Sequence, residues 1–279
     1  MFERIVIAAD GSDCATRAAR LGVAIAAKFG SHVTAVTAVS TELDEADVTT
    51  VLDTVESFGD AAGVSVEKHV VTGHPATAIV DIADRVDADT VVMGRQGHTG
   101  MRKRVFGSVT RRVLRTTERH VLTVPEGDIP VGEFRQILVP TDQSASADVA
   151  LAPAFEIARR YGARVHLLTV VDVRREAGPF SAGGVDREYV QTLLGAARDE
   201  LVELAEESAE RLDGLDVELA TEKGAPSAGI GKYVEENDID LIVMASTGES
   251  RLTGQLLGGT TSRVLRTAEA PVLVVHPAS

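Results

Sequence analysis

The sequence contains two copies of one pattern, and this duplication constrains the fold more than any other feature. RQILVPTDQS at 135–144 matches ERIVIAADGS at 3–12, at an offset of 132 residues. IVMASTGESRLTGQLLGGTTSRVLR at 242–266 matches VVMGRQGHTGMRKRVFGSVTRRVLR at 91–115, at an offset of 151 residues. The 279 residues are therefore expected to form two similar domains. We place them at 1–127 and 134–279, with the Gly- and Pro-containing segment EGDIPVGEF between them as linker.

The offset grows by 19 residues between these two matches, which indicates a net insertion in the second half. We place it within 172–200, just after the second strand predicted for that half. Such a position borders the edge of an α/β sheet where ligands bind. We interpret the insertion as a loop extension, with a lid or a partner surface as the alternative. The acidic helix predicted over about 186–212 is interpreted as a solvated face, with a partner-binding face as the alternative.

Each half alternates short apolar runs with longer amphipathic segments. For the first half this pattern predicts strands at 4–9, 32–39, 64–73, 88–94 and 120–125, and helices at 13–29, 41–62, 76–86 and 108–118. Short β-branched runs are typical of parallel strands buried on both faces, and crossover helices give right-handed connections. The sequence therefore predicts an α/β fold with two doubly wound parallel five-stranded sheets in tandem.

Composition restricts the classes of partner. The net charge of −14 argues against general binding to nucleic acids or anionic membranes. The longest apolar stretches, such as LGVAIAA at 21–27, are too short to span a bilayer, and the N-terminus lacks a signal-peptide layout. A single cysteine, Cys14, fits a reducing compartment and is interpreted as a packed residue. We expect a cytoplasmic protein.

The loop over 94–108 has the features of an anion site. Gly94 and Gly97 follow a predicted buried strand, where the absence of a Cβ lets a ligand come close. Gly107, Ser108, Val109 and Thr110 begin the next helix, whose first turn offers free N–H groups and a positive dipole end. Eight cations lie between 95 and 119: Arg95, Arg102, Lys103, Arg104, Arg111, Arg112, Arg115 and Arg119. The alternative is a plain turn with Ser108 as helix cap and solvated arginines.

Two further groups stand at predicted strand ends. Asp10 ends the first strand, where its carboxylate suits a metal, a water or a ribose hydroxyl, although a helix-capping or turn role is the simpler interpretation. Gly73-His74-Pro75 follows the third strand, where a turn with Pro at the first helical position explains it equally well. The chain contains no G-x-x-x-x-G-K-[ST] loop, and no G-x-G-x-x-G follows its first strand.

Together these elements resemble the universal stress protein family, over nearly the whole chain and as two tandem domains. Asp10-Gly11-Ser12, Gly73-His74-Pro75 and the spacing of Gly94, Gly97, Gly107 and Ser108 carry the resemblance. It implies an adenine nucleotide alpha hydrolase-like fold. In the ATP-binding branch of the family, it also implies a site for ATP, or for AMP or ADP, with Mg²⁺ or Mn²⁺ often present.

The resemblance places this site in the first half. It implies that Asp10 borders the nucleotide, that backbone at Ala38 and Val39 meets the adenine, and that Ser108 and Thr110 bring hydroxyls near the phosphates. The nucleotide-binding residues expected in full are Asp10, Gly11, Ser12, Ala38, Val39, Gly73, Pro75, Gly94, Arg95, Gly97, His98, Gly107, Ser108, Val109 and Thr110.

The second half departs from the pattern. Ala245 replaces the first motif glycine, Gly259 replaces the serine, and fewer cations follow. Weaker phosphate binding, or none, is expected there. The residues expected for this weaker second site are Asp142, Val170, Gly224, Gly248, Gly258 and Thr260.

The resemblance implies an ATP-binding regulatory or stress-response protein. Its two domains are expected to pack as an internal pseudo-dimer through VLTV and VLVV, with a homodimer left open. Two alternatives remain. One is a slow nucleotide hydrolase, although His74 and His98 are more simply interpreted as turn residues at the rim of the site. The other is a nucleotide-free interaction module. The expected partner is an adenine nucleotide, and neither nucleic acid nor membrane is among the expected partners.

Overall fold

The computed structural model describes residues 1–39, 45–97, 106–127, 129–145, 147–173, 186–247 and 257–277, and for 45–47 the backbone alone. The first half forms β1 (Arg4–Ala8), α1 (Asp13–Phe29), β2 (His32–Val39), α2 (Glu45–Ala62), β3 (Val66–Thr72), α3 (Pro75–Arg85), β4 (Thr90–Gly94), α4 (Ser108–Thr116) and β5 (His120–Val124). The second half forms β6 (Gln136–Pro140), a 3₁₀ turn (Asp148–Ala150), α5 (Leu151–Tyr161), β7 (Arg164–Val171), α6 (Arg187–Glu207), α7 (Ala209–Leu212), β8 (Val217–Lys223), α8 (Pro226–Glu236), β9 (Leu241–Ala245), α9 (Gly259–Thr267) and β10 (Val272–Val275).

The strands form a single ten-stranded sheet, in the order β3-β2-β1-β4-β5-β10-β9-β6-β7-β8. Within each half the pairs are parallel, as predicted. The two five-stranded sheets join where β5 and β10 pair antiparallel, with Leu122 opposite Leu273. The expected pairing of VLTV with VLVV is therefore present. It covers the last strand of each half, which would otherwise be an open edge.

Local sequence accounts for the helix ends. The Ser12 side chain accepts a hydrogen bond from the Ala15 N–H at the start of α1, and Gly30 ends this helix with φ at 73°, a left-handed conformation that suits glycine. The bounds predicted for α1 and β2 agree with the structure. Other predicted bounds differ by one or two residues because element ends lack the periodic signal of their interiors. Residues 41–44, predicted as helical, lie outside the described range.

Apolar side chains cover both faces of the sheet. On one face, α1, α2, α5 and α6 pack against the strands in one cluster with Ile5, Ile7 and Val139 at its centre. On the other, α3, α4, α8 and α9 pack around Val91 and Ile242. Each cluster runs through both halves. The doubly wound arrangement thus brings the carboxyl ends of the strands, and the loops that follow them, to a common edge in each half.

The insertion in the second half lengthens a helix. The offset of 151 residues aligns Glu45, the first residue of α2, with Ala196, whereas α6 begins earlier, at Arg187. The same offset aligns 187–190 with the end of β2, so the inserted residues include the first turn of α6. The connection at 174–185 and residues 40–44 lie outside the described residues. A plain loop extension describes only part of this insertion. None of the described helices is both long and apolar enough to cross a membrane.

Candidate functional site

A short turn after β1 holds the Asp10 carboxylate in place. Its Oδ1 accepts hydrogen bonds from the Ser12 N–H at 2.9 Å and from the Ser12 hydroxyl at 2.6 Å. Between them Gly11 has φ at 81°, a left-handed conformation that few other residues adopt readily. Because Ser12 also caps α1, the turn joins the strand end to the helix. The turn role considered for this aspartate is thus present, whereas the helix cap is Ser12. Oδ2 takes no part in these two bonds.

Gly97 lies directly against that second oxygen. A Cβ on Gly97 would stand 2.6 Å from Asp10 Oδ2, closer than a real Cβ comes to any atom. A side chain at this position would therefore have to displace the Asp10 carboxylate or the loop after β4. The structure thus joins two residues that are 87 positions apart in the sequence and that were predicted to share a site.

Gly94 lies against the start of α1. A Cβ there would stand 2.9 Å from both Ala15 N and Cys14 C, which are backbone atoms of the first turn of α1. The absence of a side chain at Gly94 therefore makes room for this helix and lets α1 begin close to β4. The ligand contact predicted for Gly94 stays a prediction.

The helix after the loop begins as the sequence predicts. Gly107 is its N-cap, and the Gly107 N–H donates to the carbonyl of Arg95 at 2.9 Å. Ser108 is exposed and Val109 is partly buried against the apolar cluster. The Thr110 hydroxyl is buried and donates to the Gly94 carbonyl at 2.9 Å. This bond closes the loop onto β4, and the predicted place of the hydroxyl near the phosphates stays a prediction. Ser108 keeps an exposed hydroxyl.

The cations of this segment divide into separate groups. Arg111, Arg112 and Arg115 are exposed on α4. Arg119 forms ion pairs with Asp84 at 3.2 Å and Asp87 at 2.9 Å, so it ties α4 to the end of α3. Arg102, Lys103 and Arg104 lie outside the described residues. The cluster predicted as one anion-binding surface therefore includes at least one structural cation.

The Arg95 side chain joins the first half to the second. It is only 4% exposed, and its guanidinium donates to the backbone carbonyls of Ala268 and Ala270 in the second half, the latter at 3.1 Å. Burial lowers the pKa of Arg95 to about 10, so the side chain remains charged at neutral pH. The side chain thus has a structural role, and nucleotide binding at Arg95 stays a prediction.

The carboxyl ends of β2 and β3 border the predicted site on its remaining side. Ala38 and Val39 are partly buried, and the Val39 carbonyl accepts a hydrogen bond from the Gly73 N–H at 3.0 Å. Gly73 has φ at 138°, and Pro75 is the first residue of α3. His74 is the N-cap of α3 without a side-chain bond to the helix. His98, also expected near the site, lies outside the described residues.

The second half keeps the same turn after its first strand. Asp142 Oδ1 accepts from the Ser144 N–H at 3.2 Å and from the Ser144 hydroxyl at 2.6 Å. Gln143 stands where the first half has Gly11 and still adopts a left-handed φ of 58°. The Thr261 hydroxyl donates to the Ala245 carbonyl at 3.0 Å, as Thr110 does to Gly94. The frame of the site is therefore duplicated along with the fold.

The two halves differ where Ala245 replaces Gly94. In the first half α1 begins at Asp13, three residues after Asp10. In the second half a 3₁₀ turn comes first and α5 begins only at Leu151, nine residues after Asp142. Ala245 is buried, and at the matching position of the first half a Cβ would stand 2.9 Å from backbone atoms of the first turn of α1. The alanine and the later start of the helix thus occur together in the second half.

A cavity of about 520 Å³ lies at the carboxyl ends of β6, β7 and β9, beneath α6. Among the residues predicted for the second site, Asp142, Val170, Gly258 and Thr260 line it. Gly224 instead holds the turn after β8, where its N–H donates to the Val171 carbonyl at 2.9 Å. Gly248 lies outside the described residues. Sequence reasoning missed Leu193 and Glu200, which reach the cavity from α6.

The sequence matches the Universal stress protein family over residues 1–125 and again over 133–276. The chain belongs to the universal stress protein family. Universal stress protein Rv2005c of Mycobacterium tuberculosis is 29% identical over 230 residues, which cover 79% of this chain and 72% of the relative. Universal stress protein MJ0531 of Methanocaldococcus jannaschii is 33% identical over 142 residues, which cover 51% of this chain and 82% of the relative.

A solved structure agrees with the tandem arrangement. The crystal structure of a universal stress protein from Archaeoglobus fulgidus covers 100% of this chain and 100% of its own, with a TM-score of 0.76 and 22% identity. At that identity the likeness concerns the fold. This universal stress protein therefore has two family domains in tandem in an α/β fold with a mostly parallel sheet.

Proposed function

We propose that the first half of this universal stress protein binds ATP and that the protein acts in a regulatory or stress-response role. The observation that carries the proposal is the contact between Gly97 and Asp10. A loop with no side chain at that point lies on an oriented carboxylate, at the edge of a parallel sheet where α/β domains bind ligands. Membership of the family supports this choice of ligand.

The phosphates would lie at the start of α4. Its first turn has backbone N–H groups that no residue of the helix can satisfy, and the dipole of the helix favours an anion there. Ser108 adds an exposed hydroxyl, and Arg111 adds a charge one turn along the helix. A charge-assisted hydrogen bond contributes about 1.5–3 kcal/mol.

The ribose and a metal ion would lie nearer Asp10. A carboxylate oxygen is an acceptor for ribose hydroxyls and a ligand that Mg²⁺ and Mn²⁺ prefer. Mg²⁺ with a bound nucleotide usually needs only one or two carboxylates besides phosphate oxygens and waters. Asp10, whose Oδ2 is not used by the turn, fits that requirement. The adenine would then meet the backbone at Ala38 and Val39, at the end of β2.

The division into domains 1–127 and 134–279, packed as an internal pseudo-dimer, is part of the same proposal. The antiparallel pair β5–β10 supports it. A further homodimer and a cytoplasmic location remain expectations.

Calorimetric titration of Mg·ATP into the full chain tests the proposal. A double variant, Ser108→Gly with Arg111→Ser, gives the first half the residues that the second half has at those positions. We expect it to weaken ATP binding about tenfold or more, because a hydroxyl and a charge are lost. The matched control is Gly259→Ser with Ser262→Arg, the reverse exchange in the second half. Absence of ATP binding to the parent protein, or equal affinity in parent and first-half variant, would refute the proposal.

A further inference from the structure

We infer that the cavity in the second half binds a nucleoside that carries no phosphate. The inference rests on the proposed function in one respect, namely that the site it duplicates takes an adenine nucleotide. The volume of about 520 Å³ falls within the range of roughly 300–1,000 Å³ that small-molecule sites occupy. The lining of the cavity then determines which part of a nucleotide suits it.

The apolar part of the lining suits a flat ring. Val170 from β7, Met244 from β9 and Ile230 from α8 line the cavity, and Leu193 of α6 lines it as well. The offset of 151 residues aligns Leu193 with Glu42, which lies outside the described residues. The second half therefore has a leucine in its sequence where the first half has a glutamate. Apolar walls are typical of sites that enclose the ring system of a ligand.

The polar part suits hydroxyl groups. Asp142 is held by Ser144 with the same 2.6 Å hydrogen bond that joins Asp10 to Ser12. Thr141, Thr169 and Thr260 also line the cavity. Carboxylate and hydroxyl oxygens are acceptors for the hydroxyls of a ribose. The end of the site that would meet a sugar is therefore retained in the second half.

The second half lacks the serine and the arginine that are expected to meet a phosphate in the first half. Gly259 and Ser262 stand where the first half has Ser108 and Arg111. Among the described residues that line the cavity there is no lysine, arginine or histidine, whereas Glu200 brings a carboxylate from α6. The N-terminus of α9 alone favours an anion by only about 0.3–1 kcal/mol, and a nearby carboxylate opposes it. A nucleoside thus retains the favourable contacts, while its phosphate ester gains repulsion.

Binding of adenosine and AMP to the full chain tests this inference, with Ala196→Trp as the variant. Ala196 lies on α6, lines the cavity and is exposed to solvent, so a large side chain there can cover the cavity without entering the core. Gly195→Trp is the matched control, because Gly195 is exposed, has no atom within 4 Å of its Cβ position and is not among the lining residues. We expect Ala196→Trp to remove one adenosine site that the control retains.

Two further measurements complete the test. Photolabelling with 8-azidoadenosine, read by peptide mass spectrometry, is expected to mark α6 or β7 in the parent protein and in the control but not in Ala196→Trp. At this site adenosine should bind more tightly than AMP. Glu200→Gln should reduce the ratio of the two affinities by about two- to fivefold. Equal labelling in Ala196→Trp, or tighter binding of AMP than of adenosine at the site that this variant removes, would overturn the inference.

The outcome is separable from that of the proposed function. If the double variant Ser108→Gly with Arg111→Ser weakens ATP binding, that binding takes place in the first half. We expect Ala196→Trp to leave the affinity for ATP unchanged. If ATP binds there while adenosine labels no segment of the second half, the inference fails and the proposed function stands. If ATP binding is absent while adenosine labels α6, the proposed function fails alone.

Discussion

A Cβ on Gly97 would stand 2.6 Å from Asp10 Oδ2, so a side chain at position 97 would have to displace the carboxylate after β1 or the loop after β4. The same carboxylate is fixed from its other side by Ser12. This contact joins the two sequence motifs into one site. It also makes the geometry of the site sensitive to a single methyl group.

Gly97→Ala should weaken ATP binding about tenfold, because the added methyl must displace either Asp10 or the loop, at a cost of roughly 1–3 kcal/mol. Calorimetric titration with Mg·ATP measures this. Gly195→Ala, at an uncrowded helical position of α6, is the control and should leave the affinity unchanged. In an Asp10→Ala background, Gly97→Ala should cost much less, since the atom it meets is gone. Equal losses in both backgrounds would show that the Gly97–Asp10 contact is not the cause.

Gly94→Ala should destabilise the fold by about 1–3 kcal/mol, because its Cβ would meet backbone of α1 that cannot move without shifting the helix. The midpoint of urea unfolding provides the measurement. The reverse change in the second half, Ala245→Gly, tests the same idea where the Cβ is already accommodated. It should lower stability only by the loss of one buried methyl group and by greater backbone freedom, about 1 kcal/mol. A Gly94→Ala variant as stable as the parent would contradict the steric account of α1.

Arg95→Met should reduce stability by about 2 kcal/mol, because it leaves the carbonyls of Ala268 and Ala270 without their charged donor. Urea unfolding together with limited proteolysis of the linker would show whether the halves separate first. Arg95→Lys should recover part of the loss, since a lysine can reach one carbonyl but lacks the planar fork. Arg135→Ala removes an exposed arginine paired with Glu133 at 2.6 Å and should change stability by less than about 1 kcal/mol. Equal effects of Arg95→Met and Arg135→Ala would refute a structural role for Arg95.

Stability should fall as the pH decreases from about 6.5 toward 4. Burial, and then the neighbouring His120, lower the pKa of His276 to about 4, whereas a histidine in the unfolded chain has a pKa near 6.5. Within that window the unfolded chain binds a proton that the folded chain does not, so acid favours unfolding, by about 3 kcal/mol at most. Burial also lowers the pKa of His120, whose Nδ1 accepts a hydrogen bond from the His276 N–H at 3.3 Å.

Thermal unfolding from pH 4 to 8 measures this dependence. His276→Gln should reduce the dependence of stability on pH below pH 6.5. The control is His32→Gln, at an exposed position on β2, which should leave this pH dependence as in the parent. A parent protein whose stability is constant between pH 6.5 and 4 would exclude the proposed contribution of His276.

Periodicity and repetition determined most of the fold. Parallel strands buried on both faces are recognised in the sequence as runs of β-branched residues. Capping residues such as Ser12 and Gly30 mark the ends of a helix by a local signal of a few residues. The duplication indicated two such units. It even indicated the pairing of VLTV with VLVV, through the resemblance to the family. The β-branched runs, the helix caps and the duplication are local or repeated signals, so a single sequence contains them.

The tertiary structure decided what particular side chains do. Gly94 and Gly97 look alike in sequence, yet one faces a helix backbone and the other a carboxylate, because each meets a partner about 80 residues away. Arg95 lies in a row of cations, but its partners are carbonyls in the other half, and backbone carbonyls leave no trace in the sequence. The cavity beneath α6 depends on where a lengthened helix packs. The apolar pattern of a strand depends on residues that are close together in the sequence. The roles of Gly94, Gly97 and Arg95 depend on contacts that form only when segments distant in the sequence meet.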